Sequence, residues 1–257
     1  MNSFLFRSIA ICFFLVPHCL WAQTGTASSH PLHPLQLLAE SNNHQGYIKL
    51  AYSSPYGIKS IQDFSIDMSL AVAHGLLLTE TQRIGIKGYA QYHFGLGYAL
   101  SIGDDIETAL ILNADLLPVY LSNKFRLSPG SSFYSKFRVS ENFGLNIFIN
   151  NWTSLWLNGR FESQKANLSV VARLKTHERI DIISGLSYTN GFIPLIRAGV
   201  KIIADDSHTI VAGLQTGPSG FWFGYIFSMR RLDFILTIQT GGVFGYEPGS
   251  SMKYMLN

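Results

Sequence analysis

The sequence predicts an all-β protein, an antiparallel transmembrane β-barrel of about 14 strands (12 to 16) that follows a short N-terminal lead-in. Three observations favour this fold. Apolar and polar residues alternate with a period of two along most of the chain after residue 46. Short turn sequences separate the alternating runs. Charged residues make up only 14% of the chain, against roughly 25% in an ordinary soluble domain.

The composition excludes several classes of protein. With 47% hydrophobic residues among 257, the chain is too apolar to be disordered. Its net charge of +3 comes from charges scattered singly, so a nucleic-acid partner is not expected. Both cysteines, Cys12 and Cys19, lie close to the N-terminus. If that segment is removed, no disulfide can stabilise the mature protein.

Residues 1–22 have the pattern of a secretory signal peptide. Arg7 supplies the basic start, residues 9–16 (IAICFFLV) form a short apolar stretch, and Ala22 is the small residue at the cleavage site. A signal peptide indicates export, which fits a bacterial outer-membrane protein and, as the alternative, a periplasmic or secreted globular domain.

Two alternatives to a cleaved signal fit the sequence less well. A membrane anchor needs about 20 apolar residues, and Pro17 and His18 interrupt the run. A lipoprotein signal would use Cys19, but His18 stands where a small residue is expected. The predicted organisation is therefore a signal peptide at 1–22, a flexible lead-in or plug segment at 23–45, and the barrel at 46–257.

The clearest strand covers residues 64–72. Because successive side chains of a strand point to opposite faces, Phe64, Ile66 and Met68 lie on one face, and Ser65, Asp67 and Ser69 lie on the other. Residues 143–150, 196–202 and 232–239 repeat the pattern. The predicted strands are 47–52, 63–73, 76–84, 88–102, 106–116, 131–139, 142–150, 167–175, 179–188, 195–203, 207–215, 220–228, 231–240 and 250–256.

Turn residues separate these strands. Pro129-Gly130 is predicted as a turn, and the Asp104-Asp105 and Asp205-Asp206 pairs are interpreted as turn residues rather than catalytic carboxylates. The stretch 152–162 is either a long loop or part of a further strand.

Charge placement favours a membrane barrel over a soluble one. The charged residues within strands lie opposite the aliphatic stripe, and a lipid-facing Arg or Lys at mid-bilayer would cost about 2 to 4 kcal/mol. They are therefore expected to face the lumen. The alternative is a soluble secreted β-sandwich that acts as a binding module, in which the same positions would face water. The lumen-facing candidates are Asp67, His93, Arg173, Arg197, Lys201 and Asp233.

Four segments resemble a family of outer-membrane barrels from Bacteroidetes-type bacteria. They are residues 51–58 (AYSSPYGI), 89–100 (YAQYHFGLGYAL), 220–227 (GFWFGYIF) and 244–249 (FGYEPG). In this order they are similar to the PorV/PorQ-like group, which is related to the long-chain fatty-acid transporters of the FadL type. The resemblance covers about residues 46 to 256. It implies a transport barrel for small apolar solutes or a component of secretion machinery.

No sequence motif indicates a catalytic site. A luminal barrel hydrolase would need a Ser and His pair, and His93 with Ser69 or Ser101 is the combination available. A solvated luminal histidine is the simpler interpretation. No cofactor is expected, and no zinc-type spacing indicates a metal site. The predicted function is that of a non-enzymatic outer-membrane barrel, with outer-membrane lipid, secretion-system proteins or small apolar solutes as partners.

Overall fold

The computed structural model describes residues 46–54, 61–86, 89–118, 124–152, 166–189, 194–216, 219–240 and 246–256. The predicted signal peptide and lead-in, at 1–22 and 23–45, lie outside these ranges, as does most of the uncertain stretch 152–162. No helix within the ranges is long and apolar enough to cross a membrane.

The described residues form 14 strands, and the predicted fold class is confirmed. Each strand pairs antiparallel with the next, and the last pairs with the first, so the sheet closes into a barrel. The alternative of a two-sheet sandwich is therefore wrong. The strands are β1 (Tyr47–Ser53), β2 (Gln62–Val72), β3 (Gly75–Ile86), β4 (Tyr89–Ile102), β5 (Ile106–Pro118), β6 (Phe125–Ser140), β7 (Phe143–Asn150), β8 (Asn167–His177), β9 (Ile180–Thr189), β10 (Leu195–Ile203), β11 (His208–Gln215), β12 (Gly220–Met229), β13 (Leu232–Thr240) and β14 (Tyr246–Met255).

The wall has an exposed apolar outer surface and a polar inward face. In β10 the exposed side chains of Ile196 and Ile202 alternate with the less accessible Arg197 and Lys201. Elsewhere on the outside, leucines are exposed to extents that a soluble protein rarely shows, with Leu112 at 63%. We call this outer surface the apolar belt. It is the surface that a membrane-spanning barrel presents to lipid.

The two ends of the barrel differ in their connections. Six connections lie at what we call the turn end, and they are the short segments 73–74, 103–105, 141–142, 178–179, 204–207 and 230–231. The described chain also starts and stops there, since the Leu256 amide donates a hydrogen bond to the Gly46 carbonyl at 2.7 Å. The opposite end, the loop end, carries the remaining connections, of which 151–166 is the longest.

Outward aromatic side chains cluster near both ends. At the loop end Tyr92 packs edge-on against Phe125 with ring centroids 6.1 Å apart, and Phe221 packs against Tyr246 in the same way at 6.2 Å. At the turn end Tyr225 and His208 are hydrogen-bonded and stacked. Aromatic rings with polar atoms suit the boundary between lipid and water, so the two aromatic zones delimit the apolar belt.

Two predicted boundaries are wrong. Strand β6 begins at Phe125 rather than at residue 131, and Pro129-Gly130 is part of the strand rather than a turn. Strand β7 ends at Asn150 and pairs with β6 only from Phe133 onward. Residues 125–132 of β6, which include Pro129, therefore pair only with β5 among the described residues. A proline is tolerated where one side of the strand has no ladder to support. Strand β14 likewise begins at Tyr246 rather than at residue 250.

The prediction that Asp205 serves a turn is confirmed. Its Oδ1 atom accepts hydrogen bonds from the backbone amides of Ser207 at 2.8 Å and His208 at 2.9 Å. Ser207 and His208 lie where the turn ends and β11 begins. A short acidic side chain commonly satisfies backbone donors in this way, and no catalytic role is needed to explain the Asp205-Asp206 pair.

The turn between β12 and β13 makes a testable prediction, because Arg230 has a φ of 54°. A left-handed backbone costs an ordinary L-residue about 1 to 2 kcal/mol, and glycine avoids that cost. We expect Arg230→Gly to raise the free energy of unfolding by about 0.5 to 1 kcal/mol, measured by urea unfolding in detergent. Arg231→Gly is the matched control, since Arg231 has no positive φ. Equal effects of the two substitutions would contradict the explanation.

Candidate functional site

The inward face of the wall is polar and well packed. In a barrel of eight strands side chains fill the interior, whereas 16 to 18 strands leave a channel; 14 strands lie nearer the second case. Many inward polar side chains are nevertheless buried between their neighbours. They include Lys49, Asp63, Asp67, Ser69, Asn113, Asp115, Asn146, Asp181, Gln215, Gln239 and Lys253.

A row of charged residues crosses the seam where β1 meets β14. Lys49 lies directly opposite Lys253, and each is only 1% exposed. Asp67 in β2 lies opposite Lys49, and Asp233 in β13 lies opposite Lys253. The Lys253 ammonium also lies 4.9 Å from the centre of the Tyr47 ring. We call Asp233, Lys253, Lys49 and Asp67 the seam cluster, in which two carboxylates flank two buried ammonium groups.

His93 is held between two carboxylates on the same inward face. Its Nδ1 lies 2.7 Å from Asp115 Oδ1, and its Nε2 lies 2.9 Å from Glu80 Oε1. With both ring nitrogens engaged, neither is available to take a proton from Ser69 or Ser101 as the hydrolase hypothesis requires. These two contacts indicate a structural role for His93, which links β3, β4 and β5. Within the described ranges no group of three or more His, Cys, Asp or Glu side chains is placed to hold a metal ion.

Inward charges are segregated around the wall. The inward face of β6 to β10, the cationic sector, carries seven basic side chains among its described residues, with Asp181 as its single carboxylate. The inward face from β13 through the seam to β5, the acidic sector, carries seven carboxylates with Lys49, Lys253 and His93 among them. The basic group is Arg126, Lys136, Arg138, Arg173, Lys175, Arg197 and Lys201; the acidic group is Asp63, Asp67, Glu80, Glu107, Asp115, Asp233 and Glu247.

The two sectors face one another across the lumen. The middle strand of the cationic sector is β8 and that of the acidic sector is β2, so their centres are six strands apart in a ring of fourteen. Several of these charges are also paired locally. Arg173 Nε and Nη2 both donate to Asp181 Oδ2, at 3.0 and 2.6 Å. At the sector boundary Lys136 Nζ lies 3.9 Å from Glu107 Oε2.

Glycines keep the inward face thin between β9 and β12. They occupy the inward positions 185, 199, 213 and 224. The indole of Trp222 lies along this face, with ring carbons 2.5 and 2.6 Å from where the β-carbons of residues 199 and 213 would stand. Trp222 therefore faces inward, whereas its neighbours Phe221 and Phe223 are exposed on the apolar belt.

A compact apolar cluster also lies on the inward face, which the alternation pattern did not indicate. It spans β3 to β7 and contains Leu76, Leu78, Ala99, Ala109, Ile111, Tyr134 and Phe148. In β7 the inward positions are Gly144, Asn146, Phe148 and Asn150, as the alternation predicts. The lumen is thus lined by charges in two sectors and by this apolar cluster on one side.

The structure places all six lumen-facing candidates on the inward face, in separate groups. Asp67 and Asp233 belong to the seam cluster, and His93 joins Glu80 and Asp115 in the acidic sector. The cationic sector takes the other three, which are Arg173, Arg197 and Lys201.

Sequence reasoning missed several inward residues that complete these groups. Lys49, Lys253 and Asp115 each stand in an alternating run, opposite an apolar stripe, so the same signal that selected Asp67 could have found them. Trp222 carries no such signal. Every residue from 220 to 227 (GFWFGYIF) is glycine, aromatic or isoleucine, so no polar position marks the inward face.

Several solved structures are similar to this chain. The outer membrane protein Omp33 of Acinetobacter baumannii superposes with a TM-score of 0.54 at 5% identity, over 82% of this chain and 98% of its own. A mutant porin of Rh. blastica has a TM-score of 0.48 at 8% identity, over 82% and 99%. The KdgM porin has a TM-score of 0.44 at 8% identity, over 82% and 99%. No protein-family model matches the chain, and no curated protein is detectably similar to it.

The closed antiparallel barrel, the apolar belt and the likeness to Omp33 define the class of the protein. It has the fold of the outer-membrane β-barrels. At such low identity the likeness shows the fold alone. The likeness to Omp33 does not support the assignment to the PorV/FadL-type family that the sequence segments resemble.

Proposed function

We propose that this barrel lies in a bacterial outer membrane and forms a water-filled channel for small polar and charged solutes. The apolar belt contacts lipid, and the turn end faces the periplasm, because barrels of this class keep their short turns on that side and their longer loops outside. In this proposal the barrel acts as a passage and catalyses no reaction.

The observation that supports a channel is the segregation of inward charge. Two sectors of opposite sign, facing each other across the lumen, create an electric field perpendicular to the barrel axis. Gathering charges of one sign on an inward face is costly unless water solvates them. The arrangement therefore suits a water-filled lumen through which polar or charged solutes pass. Positive groups of a solute are attracted to the acidic sector and negative groups to the cationic sector.

The same observation disfavours the apolar solutes that the family resemblance implies. A path for a long apolar molecule would be lined by apolar side chains. Only one part of the described inward face, the cluster around Tyr134 and Phe148, has that character. The neighbouring strands β2 and β8 carry charged inward side chains, acidic in β2 and basic in β8.

Ion selectivity tests the channel directly. Neutralising the cationic sector with Lys175→Gln and Lys201→Gln should shift permeability toward cations by about twofold, because fewer positive charges remain to attract anions. Neutralising Glu107 and Glu247 to Gln should shift it by a similar factor toward anions. The measurement is the reversal potential in planar bilayers under a salt gradient. Arg231→Gln, in a turn outside the lumen, is the control and should leave selectivity unchanged.

Two results would overturn the channel. One is the absence of conductance from protein that shows the gel-mobility shift on boiling expected of a folded barrel. The other is a shift of the same sign from both pairs of substitutions, since that would mean that the two sectors do not act separately on the permeating ions.

A role with secretion-system proteins is the second candidate, and the four sequence segments similar to the PorV/PorQ-like group favour it. Deleting the gene separates the two candidates. Reduced uptake of small charged solutes with unchanged protein secretion supports the channel, and the reverse result supports the secretion role.

A further inference from the structure

We infer that the inward face of β6 to β8, near the turn end, holds a binding site for phosphate, either as the free ion or as the terminal group of a small ester. The site consists of Lys136, Arg138, Gly144 and Arg173, and we call it the phosphate site. Its basic side chains are accessible to solvent. The side chain of Arg173 is 35% exposed and that of Lys136 is 21% exposed, and Arg138 is an exposed residue as well.

The strand register places the two arginines on opposite sides of a gap. Arg138 in β6 lies directly opposite Gly144 in β7, and Gly144 lies directly opposite Arg173 in β8. Because neighbouring strands are about 4.8 Å apart, the arginine backbones stand about 10 Å apart with no side chain between them. Among the described residues, a β-carbon added at Gly144 would meet only the Phe137 carbonyl oxygen, at 3.7 Å. The gap therefore leaves room for a small anion between the two guanidinium groups.

The basic groups around the gap keep hydrogen-bond donors for a solute. Arg173 uses its Nε and Nη2 atoms on Asp181, which orients the guanidinium and leaves the Nη1 donors for another partner. Arg138 makes no ion pair within 4.0 Å with any described carboxylate. Lys136 Nζ lies 3.9 Å from Glu107 Oε2, which is too far for a hydrogen bond. The charges of both arginines act on the same ammonium group, so the three cations are close enough to share one anion.

The charge around the gap fits a dianion. Asp181 lies directly opposite Lys175 in β8 and Lys201 in β10, so further positive charge surrounds its carboxylate. Together with the phosphate site, five basic side chains stand beside the two carboxylates of Asp181 and Glu107, an excess of three positive charges. A phosphate group carries a charge of about −1.5 to −2 and three acceptor oxygens. It offers one oxygen to each basic group of the site, whereas a carboxylate has only two.

Two irregularities of the sheet lie beside the phosphate site. The register of β6 against β7 shifts between Arg138 and Ser140, and the register of β8 against β9 shifts between Lys175 and His177. An extra residue in one strand changes the direction of nearby side chains, and such bulges are frequent at the rims of barrels and next to functional sites. Each shift directly follows a basic residue of the cationic sector. The backbone thus supports a site at this position independently of the charges.

The inference rests on the proposed function, because the solute reaches the phosphate site through the lumen. Binding can nevertheless be measured on folded barrel in detergent micelles, where no transport is needed. Inorganic phosphate is the probe, and acetate at equal ionic strength is the control anion. We expect saturable calorimetric binding of phosphate with a Kd below about 1 mM, at least about tenfold tighter than that of acetate.

A second probe, glycerol 3-phosphate, distinguishes the two sources of the phosphate group. Binding as tight as that of inorganic phosphate assigns the site to phosphate esters. Binding at least about tenfold weaker assigns it to the free ion. Either result is consistent with recognition of a phosphate group by the three basic side chains.

Substitutions locate the site. Arg138→Gln should weaken phosphate binding by at least about tenfold, because a charged donor is lost. Gly144→Asp should reduce binding at least as much, since its carboxylate would stand between the arginines in place of the solute. Arg126→Gln is the matched control, because it removes one positive charge from the inward face of the same strand. Arg126 lies roughly 40 Å along β6 from Arg138, well beyond the screening length of about 10 Å, so affinity should change less than about twofold.

Three outcomes would overturn the inference, each obtained with variants shown to fold by their gel-mobility shift on boiling. Absence of saturable phosphate binding to the wild-type barrel would mean that water alone fills the gap. Equal weakening by Arg138→Gln and Arg126→Gln would mean that general charge attraction holds the anion. Unchanged binding to Gly144→Asp would mean that the anion binds elsewhere. The channel is judged separately: conductance without phosphate binding overturns only the phosphate site, and binding without conductance overturns only the channel.

Discussion

Replacing Asp67 with Asn should lower the free energy of unfolding of the barrel by about 3 to 5 kcal/mol. Asp67 lies opposite Lys49, which lies opposite Lys253, and both ammonium groups are almost completely buried. The amide keeps the size of the side chain but removes its charge. Two buried positive charges then face each other with one flanking carboxylate fewer, and breaking a buried charge group from one side is strongly destabilising. Urea unfolding in detergent measures the loss.

A double substitution distinguishes charge from packing in the seam cluster. Lys49→Met combined with Asp67→Leu removes one charge of each sign and fills the space with apolar groups. We expect the double variant to be more stable than Asp67→Asn alone, because no unpaired charge remains buried. If the double variant loses as much stability as the sum of its single substitutions, the electrostatic explanation of the seam cluster fails.

Adding one methyl group at position 213 should be among the most damaging small changes in the wall. The new β-carbon of Gly213→Ala would stand 2.4 Å from the Ala198 carbonyl oxygen and 2.6 Å from the Trp222 ring. Because the oxygen belongs to the backbone, the two strands must separate to accept it. We expect a loss of about 3 kcal/mol in the free energy of unfolding, at the upper end of overpacking costs, and a reduced yield of folded barrel.

Gly185 provides the matched control for this prediction. It is also an inward glycine within a strand, but a β-carbon there would lie no closer than 3.5 Å to its neighbours. Gly185→Ala should leave stability unchanged or raise it by about 0.5 to 1 kcal/mol, because alanine loses less backbone entropy than glycine on folding. Combining Gly213→Ala with Trp222→Ala should restore only part of the loss, since the Ala198 oxygen remains. Equal effects of the two glycine substitutions would contradict the explanation.

The sequence predicts the wall well because alternation carries the needed information. In β2 the order of Phe64 to Val72 already assigns each side chain to a face, and β1 and β3 assign theirs independently. The scarcity of charged residues in the apolar stripes leaves only the inward face for Arg197 and Lys201. Strand number and the antiparallel order follow from the turn residues between the runs.

The composition of the lumen could not be predicted in the same way. Lys49 and Lys253 become neighbours only when strands about 200 residues apart meet in a particular register, and alternation does not fix that register across the seam. The sector arrangement of charge depends on the order of all the strands around the ring. The inward position of Trp222 could not be predicted either, because alternation cannot be read in a run where nearly every side chain is apolar.

The pairing of β1 with β14 has a consequence in time. Every other ladder joins strands that are consecutive in the chain and can form as a local hairpin, whereas this ladder joins the first strand to the last. Contacts between distant parts of a chain form slowly, since the loop they close is long. The seam is thus expected to form last. Until it does, two strands have free edges, and these are where premature association with another chain would begin.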